Sequence, residues 1–250
     1  MNKAKVKRTL KKFYRRHKKY IDFITRLLAV MLVAILMALF FRGENKHYNY
    51  GVDLSHHNGK VDWSEVYNDG VSFTILRCGA GDYNTGEIIK DRRFSRNIFM
   101  ARYYDMDTGI YFYSQATNEK EAVKEAKYAI RCARGHKLKL PIFIDIEDTG
   151  TGGKGRADGL SKKERTAIVL AFARTIKKAG YKPGVYANAY YLRTHLDVAA
   201  IEKANISVWL AEYRTGTRPN YEGNYDYWQY TSKGQVPGIS GNVDLNRKAE

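Results

Sequence analysis

Two carboxylates two residues apart, Asp145 and Glu147, close the segment from Leu140 to Asp148, which reads LPIFIDIED. An unbroken apolar run after a proline is the pattern of a strand buried on both faces, as in a parallel sheet wrapped by helices. Side chains alternate along a strand, so Asp145 and Glu147 share one face and Ile144 and Ile146 take the other. Burying one carboxylate is costly, and burying two side by side is worse. Acid and base catalysis at the carboxyl end of a barrel strand is one reason to do it. A salt-bridged strand end or a calcium-binding loop is the plainer alternative, because perturbed carboxylates also occur in structural networks.

Other chemistries fit less well. The glycine-rich stretch from Gly150 to Gly159 lacks the Gly-Lys-Ser/Thr ending of a phosphate loop. Cys78-Gly79-Ala80-Gly81 is too short for a dinucleotide fingerprint. His56 and His57 are adjacent and diverge on an extended chain, and no His, Cys or carboxylate cluster has zinc spacing. No Ser or Cys stands out as a nucleophile beside a placed His. Carboxylate chemistry remains, with neither metal nor cofactor expected.

The elements that must hold this pair alternate between strand and helix. Strands are expected at Tyr50 to Ser55, Val71 to Cys78, Gly109 to Ser114, the Leu140 run, Pro183 to Asn188, Ile206 to Tyr213, Tyr227 to Thr231 and Asn242 to Asn246. Between them lie a short helix at Asp62 to Asn68, one around Asp91 to Tyr103, and one from Asn118 to Ala133 with Asn118 as cap. A further helix starts at Ser161 and ends at Gly180, and a broken one spans Tyr190 to Ala204. Eight strands with strong helices only in the first half predict an irregular α/β barrel, residues 50–250, as one domain.

The amino terminus is of another kind. Eleven Lys or Arg and one acid, Asp22, occupy the first 26 residues, which carry +10 of the formal +17. A basic arm suggests nucleic acid, but this one abuts an apolar run, Leu27 to Phe41, so no nucleic-acid partner is expected. With its flank the run extends over residues 21–41, enough to span a bilayer, and no small-x-small cleavage site follows it. The expectation is a basic cytoplasmic tail (1–20), an uncleaved single-pass anchor (21–41) and a short linker (42–49). The barrel, a likewise expected monomer, would be held at the cell membrane on the periplasmic or extracellular side. Cys78 and Cys132 form no disulfide framework. They are expected at opposite ends of the barrel, some 20 Å apart, beyond the ~7 Å reach of a bridge.

Three further segments carry a resemblance. The domain begins Gly51-Val-Asp53-Leu-Ser-His-His-Asn-Gly-Lys-Val-Asp-Trp63 and ends with Trp228-Gln-Tyr-Thr-Ser232 and Val243-Asp244-Leu-Asn246. With Asp145-Ile-Glu147, and with Gly109-Ile-Tyr-Phe112, Gly184-Val-Tyr186 and Trp209-Leu-Ala-Glu-Tyr213 between, these resemble glycoside hydrolase family 25 in order from Tyr50 to Asn246. That family comprises lysozymes that cut the bond between N-acetylmuramic acid and N-acetylglucosamine in peptidoglycan. The resemblance implies an irregular TIM-like barrel with a groove at the carboxyl ends of its strands, and an acidic cluster of Asp53, Asp145, Glu147 and Asp244. Plainer roles for Asp53 and Asp244 are turn capping and closing the first strand on the last.

A glycosidase needs a protonated acid for the leaving oxygen and a carboxylate against an oxocarbenium-like transition state. Glu147 is the candidate acid, its pKa raised by neighbouring charge and burial, and Asp145 the candidate carboxylate. The resemblance implies net retention, with Asp145 attacking directly or orienting the substrate's 2-acetamido group. Tyr111, Tyr186, Trp209, Tyr213 and Trp228 match family positions and are candidate sugar contacts. Two other readings stay open: a catalytically silent module anchoring membrane to peptidoglycan, and a glycosidase acting on another N-acetylated glycan such as chitin.

Overall fold

The computed structural model describes residues 3–40, 50–150, 152–153 and 155–249, with side chains of the first helix described from 13 to 33. The chain forms two compact units, residues 1–46 and 47–250. The first holds helix α1, Lys3–Phe40, which no Gly or Pro interrupts. The expected tail (1–20) and the start of the expected span therefore share one continuous helix. Its apolar residues Phe23, Ile24, Leu27, Leu28 and Val30 to Val33 are all exposed. Among the described residues no helix is long and apolar enough to cross a membrane. The expected span, 21–41, runs beyond the described side chains, and the linker, 42–49, lies wholly outside the described residues.

The second unit is a closed α/β barrel. In chain order it contains β1 (Tyr50–Leu54), α2 (Trp63–Asn68), β2 (Phe73–Gly81), β3 (Ile88–Lys90), α3 (Phe94–Tyr103), β4 (Asp107–Tyr113), α4 (Glu119–Ala133) and β5 (Ile142–Asp145). There follow α5 (Lys162–Lys178), β6 (Pro183–Asn188), α6 (Ala189–Thr194), α7 (Val198–Lys203), β7 (Ser207–Ala211), β8 (Tyr227–Gly234) and β9 (Val243–Lys248). β1 through β8, leaving out β3, pair in parallel, and β9 closes the ring antiparallel to both β8 and β1. All eight expected strands occur. The short β3, which hairpins onto β2, was not expected.

Local chemistry fixes the elements. Asn118 caps α4 by accepting from the Glu121 amide, Ser161 and Glu164 form a reciprocal capping box on α5, and Gly180, at φ +85°, lets the chain leave that helix. Strand alternation then sorts the core into two layers. Ile142, Ile144 and Ile146 face outward, in one cluster with helix residues such as Ala126, Ile168 and Phe172. Phe73, Ile75, Tyr111, Phe143, Tyr186 and Trp209 fill the barrel interior. Gly184 is glycine because a Cβ there would collide with the Phe143 ring.

One expectation needs correction. Cys78 and Cys132 are unbridged, but they are neighbours, with their side chains in hydrogen-bonding contact. Cys78 is not at the strand's end: β2 runs on to Gly81 after a bulge at this residue. The last turns of α4 pack against that point, and the Tyr128 hydroxyl donates to the Cys78 carbonyl at 3.5 Å. The irregularity of the barrel lies in its last strand. Because β9 runs backwards, Asp244 at its start lies level with the carboxyl ends of the other strands.

Candidate active site

Four carboxylates converge where β1, β5 and β9 open to solvent. Asp53 and Asp244 are register partners across the β1–β9 ladder, and their side chains hydrogen bond. Asp145 ends β5, with Glu147 just beyond it, and each bears on the other side of the cluster: Asp145 feels Glu147 and Asp53, and Glu147 feels Asp244 and Asp148. Asp145 and Glu147 line a groove of about 520 Å³ with Arg77, Tyr83, Tyr111 and Tyr113.

Burial is the main force on all four. It raises Asp53 and Asp145 well above the usual carboxylate range, with neighbouring carboxylates adding to the effect. Glu147 is pushed up to about 7 by burial, then by Asp244 and Asp148. Asp244 rises to about 6, again through burial, and its hydrogen bond with Asp53 opposes the rise. Such a cluster retains protons near neutral pH, as an acid catalyst requires.

Amides hold one half of it. The Gln229 and Asn246 side chains each donate to Asp53 Oδ2 at 2.8 Å. Gln229 Oε1 in turn accepts from the hydroxyls of Tyr186 and Tyr213, both at 2.9 Å, and Asn246 Oδ1 accepts from Trp209 Nε1 at 2.7 Å. The other half is bare. Asp145 Oδ1 is buried without a hydrogen-bond partner among the described residues.

The expected aromatic contacts divide accordingly. Tyr111 lines the groove. Tyr186 is buried in the barrel interior beside Trp209, ring centroids 4.5 Å apart. Trp209 is only 1% exposed, so it supports the site from beneath and offers no face to a sugar. Tyr213 is exposed, with its hydroxyl tied to the network. Trp228 is not brought to the groove. It sits on the outer face of β8, donates to the Glu212 carbonyl at 2.9 Å and lines a separate depression with Tyr230 and Arg247. Alternation explains the displacement: Gln229 points in, so its neighbour points out.

Gln229 and Asn246 are functional neighbours that motif reading missed. A signal existed, since Asn246 has the same strand parity as Asp244. Arg77, Asp91 and His56, which meet at one wall of the groove, were also missed. The β3 hairpin that returns Asp91 to β2 is too short to predict from pattern.

Several known proteins are similar to this chain. Lysozyme M1 of Streptomyces globisporus is 29% identical over 203 residues, covering 79% of this chain and 66% of its own. The autolysin LytC of Streptococcus pneumoniae superposes with a TM-score of 0.68 at 28% identity, over 79% of this chain and 46% of that one, and has also been solved with a synthetic peptidoglycan ligand. A bacterial lysozyme of Streptomyces coelicolor gives a TM-score of 0.64 at 25% identity, over 80% and 92%. This chain thus spans about two-thirds of the M1 lysozyme and under half of the autolysin. The sequence profile of glycosyl hydrolases family 25 matches residues 52–239, from the strand that carries Asp53 to the turn before Asp244, and the chain belongs to that family.

Proposed function

We propose that the chain hydrolyses peptidoglycan, cleaving the β-1,4 bond between N-acetylmuramic acid and N-acetylglucosamine. The observation that carries this reading is the contrast in one groove between a proton-retaining Glu147 and an Asp145 oxygen left without a protein partner. Glu147 donates its proton to the departing glycosidic oxygen. Asp145 faces the positive charge that develops at the sugar, as nucleophile or as the group that orients the substrate's 2-acetamido oxygen. Glu147 then activates water, and configuration is retained. Asp53 and Asp244 fix the charge around the acid, while Tyr111 and Tyr213 are placed to touch the glycan. Incubating the protein with purified peptidoglycan and with chitin tests this. New muramic acid reducing ends from peptidoglycan alone are expected. Cleavage of chitin instead, or binding without cleavage, overturns it.

The domain works as a monomer tethered to a membrane through residues 21–41. Support comes from the apolar side chains that α1 leaves exposed from Phe23 to Val33, beside a basic segment that the positive-inside rule keeps cytoplasmic. The barrel then acts on the periplasmic or extracellular side. Fractionation of cells expressing the chain decides it: a soluble product beginning near Arg42 defeats the tether.

A further inference from the structure

One face of α3 is left open. The helix packs on β2 and β4, and its Phe94, Asn97, Ile98 and Ala101 are buried. Its outward face presents Arg96, Phe99, Arg102 and Tyr103, and Arg92 stands exposed in the turn before it. Positions 92, 96, 99 and 103 are spaced four, three and four residues apart, so they form one stripe. Phe99 is 63% exposed and Tyr103 70%. The Tyr103 ring stands edge-on to Tyr104, centroids 5.1 Å apart, and Tyr104 packs against Tyr67. Residues 92–104 include four arginines and no acid. Among the described residues Arg92, Arg96 and Arg102 make no ion pair. Arg102 donates to the Gly135 carbonyl at 3.1 Å, and Arg134 and Lys137 are exposed beside that point. On the α2 side Arg96 shares a depression with Lys60, Glu65 and Asp62, and Asp62 is occupied in capping α2.

The stripe also has a defined place. Asp91, just before it, lines the groove, and Tyr103 lies four residues before β4, whose start is level with the start of β1. α3 therefore runs from the groove rim to the end of the barrel at which the domain begins. The proposed membrane segment ends at residue 41, so eight residues of chain lead from it to Tyr50, at most about 28 Å when fully extended. On the tethered reading a bilayer is within reach of that end. A convex helix face encloses nothing, so it does not suit a sugar or another small ligand, which takes a concave site. Rings and arginines together suit a bilayer surface. Aromatic side chains settle at headgroup level, and guanidinium groups pair with lipid phosphates.

We propose that α3 is a second membrane contact, through which the barrel lies on an anionic phospholipid surface with Phe99 and Tyr103 at headgroup depth. The inference rests on the tethered reading for the nearness of a bilayer, and it does not depend on the cleavage chemistry. A tether alone leaves the barrel free to turn. Contact along α3 lays it on its side, so the groove opens along the membrane and meets glycan that lies beside it.

The test uses full-length protein in phosphatidylcholine vesicles, with or without phosphatidylglycerol, and with a brominated lipid as quencher. Trp63, Trp209 and Trp228 are buried, so the unaltered protein should be quenched little. Phe99→Trp puts a reporter on the stripe, and Tyr103→Trp is a second should the first fail to fold. Both should be quenched in anionic vesicles and far less in neutral ones, with the quenching lost as salt rises. Tyr190→Trp, at an equally exposed position on α6, should be spared. With the reporter in place, Arg96→Gln and Arg102→Gln should each weaken the contact about fivefold. Stripe reporters that stay bright in anionic vesicles overturn the inference, as does quenching indifferent to lipid charge or equal quenching of Tyr190→Trp. A reporter that responds to soluble peptidoglycan fragments and not to vesicles overturns it too, and gives the face to the wall. Resistance of the protein to an alkaline wash reports the anchor separately. Protein that resists the wash with bright reporters keeps the tether and refutes this inference. Quenched reporters on protein that the wash removes do the reverse.

Discussion

The two carboxylate pairs at the barrel mouth live in different surroundings. Asp53 and Asp244 meet in the arc where β9 closes the ring, and two amides anchor Asp53 there. Asp145 and Glu147 lie in the regular parallel half, and neither side chain accepts a hydrogen bond from a described residue. Anchoring lowers the cost of a buried acid but occupies the oxygen that a substrate would use. The bare pair keeps its oxygens vacant and its proton mobile, as reaction requires. The anchored pair is suited to holding charge in place.

The contrast breaks most sharply at Glu147. Glu147→Gln should lower glycan cleavage by at least ~10²-fold, the lower range for a positioned acid, and Asp145→Asn by nearly as much. Both are measured as reducing ends released from peptidoglycan. Near-normal turnover by a folded Glu147→Gln protein would defeat the assignment. Stability should move the opposite way. Glu147 binds its proton more tightly folded than unfolded, so between about pH 4.5 and 7 the folded state holds more protons, and stability falls as pH rises. Glu147→Gln removes that loss. Its Tm at pH 8 should exceed that of the unaltered protein, by about 2–4 °C for each ~1 kcal/mol relieved.

Weaker effects sharpen the comparison. Above pH 7 the rate should fall about tenfold per unit as the Glu147 proton is lost; a rate flat to pH 9 would assign the acid elsewhere. Asp53→Asn turns an acceptor of two amide donors into a group that also presents donors, so it should lower Tm. The stability loss should be about 1–3 kcal/mol, read by denaturant titration, with activity only about tenfold lower. Asn246→Ala should lie in the same direction and be smaller. Trp228→Phe, on the outer face, should change KM less than about twofold; a larger change would return that ring to the groove. Smallest of all, Cys132, lowered to about 7 chiefly by its contact with Cys78, should be alkylated at neutral pH long before the fully buried Cys78, as peptide mass spectrometry would show.

Periodicity made much of this fold legible. Ile144 and Ile146 on one face and the carboxylates on the other follow from alternation alone, and the structure places them so. The caps at Asn118 and Ser161 were readable for the same local reason. What stayed hidden depends on distant pairing. Whether Trp228 or Gln229 faces the barrel interior is decided by the register of β8 against β7 and β9, which no short window contains. Arg77 meets Asp91 only because a hairpin folds back, and the cysteines meet only because β2 bulges beneath the end of α4.

The junction of β1 with β9 also has a consequence in time. Asp53 arrives with the first strand of the domain and Asp244 with the last, and they touch only when those strands pair. A chain emerging from synthesis has every other part of the groove before it has this one. Contacts between such distant positions form late and slowly. The junction therefore acts as a completion check: a chain that stops short of residue 243 leaves β1 with an open edge and the acid without its surrounding charge. The proposed cleavage would then begin only in a molecule whose last strand has been made and paired.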